Sequence, residues 1–187
     1  MNPVGVKRSR ESSTIRLVSA LAVVTAFAMP GSGAQTLRSG PPSCAAVHAA
    51  SEFVEAWTSA VIGPGNRDHT CLRLLLSPDA RLVGAVPGED GHTSLIVETS
   101  DEFIGWYEKR GTETFWERTL HSSAEVYENV ARVTRTYEVR ASPTGPVQAT
   151  GIEDFQLIFD GREWRAFALL WQDEAKGRPL PRRYRPD

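Results

Sequence analysis

The strongest constraint on the fold lies between residues 114 and 173, where four long stretches of β texture follow one another with little in between. They cover 114–126, 130–141, 148–159 and 163–173, each rich in Val, Ile, Thr, Tyr, Phe and Trp. Glu128-Asn129 separates the first pair and Asp160-Gly161 the last, and such dipeptides are tight-turn formers. Both pairs are therefore predicted to be antiparallel hairpins. A longer loop, Ser142-Pro143-Thr144-Gly145-Pro146, joins them. Strands of this length in a small domain must twist and bend. A curled sheet closed by helices makes a cone with an interior cavity.

The segments upstream supply the helices. From 44 to 62, Val47, Ala50, Phe53, Val54, Trp57, Ala60 and Val61 recur with helical period, and Ser43 is placed as a cap. Gly63-Pro64-Gly65 ends that helix. A short helix over 70–76 is stopped by Ser77-Pro78-Asp79, which feeds a strand over 80–86. The turn cluster 87–91 precedes a short strand over 93–97, and Thr99, Ser100 and Glu102 announce a third helix over 101–110. Segregated helices and antiparallel strands predict an α+β domain with the helices against one face of the sheet.

The ends are read separately. Lys7, Arg8, Arg10 and Arg16 precede the uncharged apolar run Leu17 to Met29, and Pro30-Gly31-Ser32-Gly33-Ala34 supplies a break and small residues. This is the three-part pattern of a secretory signal, with cleavage expected after Ala34. The run is shorter than the roughly 20 residues that span a bilayer, so no integral membrane segment is expected after cleavage; an uncleaved anchor is the alternative. The expected organisation is a signal peptide over 1–34, a lead-in over 35–42, one domain over 43–174 and a basic, Pro-rich tail over 175–187. The whole chain carries a formal charge of −2, and losing the basic leader makes the remainder more acidic. No basic stripe suited to a phosphate backbone is present, which argues against nucleic acid as a partner. Export would place Cys44 and Cys71 in an oxidising compartment. A disulfide between them and two small buried apolar residues both remain open.

FVEAW in the first helix, LLSPDARLV, DEFIGWYEKRG and GIEDFQLIFDGREWRAFALLWQD together resemble the nuclear-transport-factor-2-like superfamily, and within it the SnoaL-like branch. The resemblance covers about residues 44–174 and rests most on Pro78-Asp79-Ala80 and on Asp160-Gly161 with Trp164-Arg165. It implies a cystatin-like cone: three N-terminal helices packed on a strongly curved, mainly antiparallel sheet. It also implies a pocket between sheet and helices and frequent homodimers packed through the sheet. Members include steroid isomerases, dehydratases, polyketide cyclases, epoxide hydrolases, transport adaptors and exported proteins of unknown role, so the fold leaves the function open.

For an enzyme, the resemblance implies an Asp or His as acid or base, with a Tyr or a second carboxylic acid as hydrogen-bond donor. A carboxyl group in an apolar cone has its ionised form disfavoured, which raises its pKa into a useful range. Strand alternation puts Glu117 and His121 on one face of the first long strand, and Arg135 with Tyr137 on the apolar face of the second. On the third, Ile152, Asp154 and Gln156 alternate with Glu153, Phe155 and Leu157, and both faces are apolar enough to be covered. Asp154 would need a partner, for which Arg135 would serve. The candidate catalytic residues are thus Asp154, His121 and Tyr137, and the candidate ligand contacts are Trp57, Trp106, Arg135, Gln156 and Trp164. The four histidines are scattered, so neither a metal site nor a cofactor is expected.

Two functions follow from these residues. One is an exported pocket protein that binds a small, mainly apolar molecule. The other is a cofactor-free acid/base enzyme of the isomerase, dehydratase or cyclase type. Convergence of a carboxylate or His with a Tyr at the pocket floor favours the second; a floor of only apolar rings and an Asp–Arg pair favours the first.

Overall fold

In a computed structural model the described residues are 43–88, 92–175 and 177–185. The leader and lead-in read from residues 1–42 lie outside them, as do Lys176, the last two residues and part of the turn cluster.

Among the described residues, three α-helices and seven strands make one layer of helices and one sheet. In chain order they are α1 (Phe53–Val61), β1 (Gly63–Pro64), α2 (Thr70–Leu75), β2 (Leu76–Pro87), β3 (Thr93–Thr99), α3 (Ser100–Glu108), β4 (Thr114–Tyr127), β5 (Val130–Arg140), β6 (Val147–Phe159) and β7 (Trp164–Asp173). The sheet order is β1-β4-β5-β6-β7-β2-β3. The β4–β5 and β6–β7 hairpins are antiparallel as expected. β2 runs parallel to β7, so the sheet is mixed. Two helices precede β2 and the third follows β3, rather than all three lying at the N-terminus of the domain. Among the described residues no helix is long and apolar enough to cross a membrane.

The helices form where sequence and caps agree. Phe53, Val54, Trp57, Ala60 and Val61 fall on one face of α1 and are all buried. Before it, a single 3-10 turn, Ala50–Glu52, replaces the longer helix expected from residue 44. The Glu52 carboxylate accepts from the His48 and Ala49 amides at 3.2 and 3.1 Å. Val47 O accepts from Trp164 N at 2.9 Å, which ties this stretch to β7 instead of to a helix. Upstream, Cys44 is bonded to Cys71 as a disulfide. At α3 the signal at Thr99 and Glu102 is a capping box: the Thr99 hydroxyl accepts from Glu102 N, and the Glu102 carboxylate accepts from Thr99 N at 2.9 Å.

The core lies between helices and sheet. Phe155 on β6 is fully buried, with the Trp57 ring 4.9 Å away and the Phe53 ring 5.2 Å away, both edge-on. Phe103 of α3 stacks on Trp57 at 5.8 Å and reaches Trp171 at 6.0 Å. Two glycines allow the closest approaches. A Cβ on Gly84 would sit 2.4 Å from the Trp171 ring, and one on Gly151 would sit 2.4 Å from the Tyr137 hydroxyl oxygen.

Candidate functional site

Inside the cone the apolar packing is interrupted by charge. Cross-strand register aligns Arg135 with Glu153, and Glu117 lies on the same inner face through its pairing with Val139. All three side chains are buried, Arg135 to 1% exposure. Arg135 Nε donates to Glu153 Oε2 and Nη2 donates to Glu117 Oε1, so one guanidinium is held between two carboxylates. Its Nη1 donates to the Thr58 hydroxyl at 2.9 Å and to the Thr119 hydroxyl at 3.2 Å. Thr58 passes its own proton to Val54 O at 2.8 Å, which fixes the hydroxyl as an acceptor for Arg135. The guanidinium also lies over the rings of Tyr137 and Phe155, 5.7 and 5.9 Å from their centroids. Phe155 thus joins the aromatic core to the charged cluster.

Tyr137, next along the inner face of β5, donates its hydroxyl to Asp173 Oδ1 at 2.6 Å. Asp173 is exposed, so this bond marks where the cluster meets the rim.

The electrostatics follow from two buried acids facing one buried cation. Burial raises the Glu153 carboxyl against the pull of Arg135, and nearby Glu117 adds to it, so Glu153 is pushed up to about 7. Burial also raises Glu117, with Arg135 opposing. Burial works against the Arg135 charge, but the Glu153 and Glu117 carboxylates outweigh it and hold the guanidinium more firmly protonated. Burial and then Asp173 raise Tyr137, and burial with Glu117 raises Tyr107. Both phenols stay neutral donors near neutral pH. The cluster therefore holds a carboxyl that exchanges a proton near pH 7, beside a phenol that does not.

The expected site residues divide between the two faces of the sheet. Tyr137, Arg135 and Trp57 come together inside, around Phe155. Trp164 is also inside but packs on Phe159, 5.5 Å between centroids. Trp106 lies on the exposed side of α3 with the Arg110 guanidinium 4.9 Å from its ring. Asp154, Gln156 and His121 are on the outer face. Asp154 is bonded to Arg132, with Nε donating at 3.0 and 3.1 Å, and Arg135 takes Glu153 in its place. His121 does not share a face with Glu117, because a bulge at Leu120 shifts the register from Thr119–Tyr137 to His121–Thr136 and turns His121 outward. A second irregularity, at Phe167 on β7, puts Trp164 and Ala166 inside before it and Leu169 and Trp171 inside after it.

Strand alternation alone gives Glu153 no role and pairs Glu117 with His121 instead of with a cation. The available signal was Arg135 on the apolar face of β5, since a buried guanidinium demands carboxylates from the strands on either side. Among the described residues no group of three His, Cys, Asp or Glu side chains is placed to hold a metal ion. A depression lies on the outer side of the sheet. It is open, about 430 Å³ in volume, and lined by Leu120, Thr136, Thr150, Glu174, Leu180 and Arg185. The tail lies along its margin, with the Thr136 hydroxyl donating to Tyr184 O.

Helices on one face of a curled mixed sheet, enclosing an aromatic core with a polar floor, define a cone of the cystatin type. A solved structure of that fold aligns with it at a TM-score of 0.50. It is a protein of unknown function with a cystatin-like fold from Nostoc punctiforme, aligned with 66% of this chain and 86% of its own at 9% identity. A protein of unknown function from Mycobacterium tuberculosis aligns with 66% of this chain and 68% of its own, at 13% identity and the same TM-score. An NTF-2 like protein of unknown function from Silicibacter pomeroyi aligns with 66% of this chain and 91% of its own, at 19% identity and a TM-score of 0.46. No protein-family model matches the sequence, and no curated protein does. The chain has a cystatin-like fold.

Proposed function

We propose that this chain is an exported, SnoaL-like binding protein whose cone takes up a small, mainly apolar molecule with one polar end. The observation that carries the proposal is the Glu117–Arg135–Glu153 cluster inside an aromatic shell. Ionic clusters of this kind contribute less to stability than apolar packing of the same volume, so a polar floor in an otherwise apolar cone suits recognition better than folding. Trp57, Phe103 and Trp171 would supply the apolar walls. Trp171 is half-buried, with its ring against Gly84. The leader pattern of residues 1–34 and the Cys44–Cys71 disulfide support export.

Native mass spectrometry of the protein recovered from its secreting host tests the proposal. A bound organic molecule released by solvent extraction, absent from an R135M variant that still folds, is the expected result. Ligand-free protein whose melting temperature no apolar compound raises would remove the binding reading.

The second reading, cofactor-free proton transfer, is favoured by one feature: a carboxyl pushed up to about 7 in the same buried cluster as the Tyr137 donor. Glu153 and Tyr137 would then be the catalytic pair. Deuterium exchange α to the carbonyl of an apolar ketone, followed by NMR, checks it; exchange no faster than buffer, or unchanged in E153Q, removes it. Association of two copies through the sheet belongs to the same proposal.

A further inference from the structure

We infer that β3 is a self-pairing edge, and that a second copy of this chain adds its own β3 antiparallel to it, so that two sheets become one across a twofold axis at Ile96. This rests on the homodimer reading above and says which part of the sheet makes the contact.

β3 is the last strand of the sheet, paired on one side by β2 and on the other by nothing among the described residues. All seven of its residues are in regular register, with no bulge. Between Thr93 and Val97 it carries no charge and no proline. Leu95 is 68% exposed, Val97 63% and Ile96 36%. A flat, apolar, uncharged edge is what soluble proteins avoid unless something pairs with it. The unpaired backbone donors and acceptors also fix the kind of partner, since another strand satisfies them in series.

Two features point to this chain itself as that strand. The first is register. A twofold at Ile96 places Leu95 across from Val97 of the other copy, Ser94 across from Glu98, and Thr93 across from Thr99. No like charges meet, and an aliphatic pair sits on each side of the axis. The second is closure. The opposite edge is β1, which is two residues long and includes Pro64. That covers only Thr114 and Phe115; past them β4 is the edge, and it is blunted by the bulge at Leu120 and by the charged Arg118 and Glu125. β3 is the edge with an unbroken, apolar ladder, and β3 on β3 is an isologous contact that ends at two copies.

The broad outer face is less available for packing. Described residues of the tail lie across it, with the Thr136 hydroxyl donating to Tyr184 O and Leu180 N donating to Glu174 Oε1 at 2.8 Å. Arg132 and Asp154 form an ion pair on the same face.

Sedimentation of the purified protein and its exposed-site variants tests the inference. The wild type is expected to run as a dimer. L95K/V97K puts like charges across the seam and should halve the mass, while L95K/V97E puts opposite charges there and should restore it. V130K/I158K, on the outer face, should leave the dimer intact. In the wild type, amides 93–99 should gain protection from hydrogen exchange as concentration rises, a readout that does not depend on how the variants fold. A dimer that survives L95K/V97K and dissociates with V130K/I158K overturns the edge pairing while keeping association through the sheet. A wild-type monomer with concentration-independent exchange overturns both.

Discussion

Replacing Glu153 with Gln removes one of two buried acids that compete for one guanidinium, and the consequence can be worked out from the cluster. Glu153 is buried and its carboxyl is pushed up to about 7, against 4.5 for an unperturbed glutamate. Between those values the folded protein holds a proton that the unfolded chain has released. A folded pKa above the unfolded one gives stability that is complete below pH 4.5 and is lost as the pH rises through 7. The gap is roughly 2.5 pH units at about 1.4 kcal/mol each, or roughly 3 kcal/mol in all. The E153Q side chain keeps the shape and a hydrogen-bond acceptor for Arg135 but does not titrate, and Glu117 then has the guanidinium as its sole close ionic partner. Urea unfolding of wild type and E153Q at fixed ionic strength, from pH 4.5 to 8, isolates the effect as a difference curve. The wild type should lose roughly 3 kcal/mol relative to E153Q over that range, most of it between pH 5 and 7. A difference curve flat to within about 0.5 kcal/mol, or one rising with pH, would refute the half-protonated cluster.

Two further substitutions test packing and covalent constraint. Gly84→Ala drives a methyl to 2.4 Å from the Trp171 ring, so it should cost about 1–3 kcal/mol and alter the near-ultraviolet circular dichroism of the tryptophans; unchanged stability and spectrum would mean the ring does not sit there. The double change C44S/C71S opens a loop with a sequence separation of 27 and should lower unfolding stability by about 2–4 kcal/mol, with the wild type matching it in reductant. Equal stability of oxidised and reduced wild type would count against the bond.

Most of the strand framework was legible because it depends on local turns. Glu128-Asn129 and Asp160-Gly161 produce the β4–β5 and β6–β7 hairpins, with Glu128 taking the positive φ of 51° that its turn requires. Side-chain direction within the strands was less legible. A clean two-residue turn after Tyr127 predicts unbroken alternation back along β4, and the bulge at Leu120 breaks it, which is why His121 faces away from Glu117. In β6 the alternation itself was ambiguous. Ile152 and Ile158 make the outer face nearly as apolar as the inner, and the β5–β6 connection is too long for residue counting to set the register that brings Glu153, rather than Asp154, to Arg135. Helix α1 begins at Phe53, well after the point its apolar spacing suggests. Glu52 caps the amides before it, and Val47 is bonded to β7, contacts that lie far from residue 44 in the chain or depend on one side chain.

The charge balance of the cluster also selects among ligands for the proposed cone. Arg135 is the cation, Glu117 and Glu153 are the acids it contacts, and Asp173 stands at the rim on Tyr137. Acidic groups are in excess, and the guanidinium's donors are already engaged by Glu117, Glu153, Thr58 and Thr119. An incoming carboxylate would add a charge of the sign already in surplus, beside a cation whose donors are taken, in a setting where burying an unpaired charge is costly. An alcohol or a primary amine can instead donate to a carboxylate. Within a series sharing one apolar body, the alcohol and the amine should therefore raise the melting temperature more than the carboxylate does at pH 7.5. The amine's advantage should shrink at pH 5, where Glu153 is protonated and its negative charge is gone. A carboxylate that stabilises the protein best would mean that Arg135 exchanges its glutamates for the ligand, and the polar floor would then be an anion site.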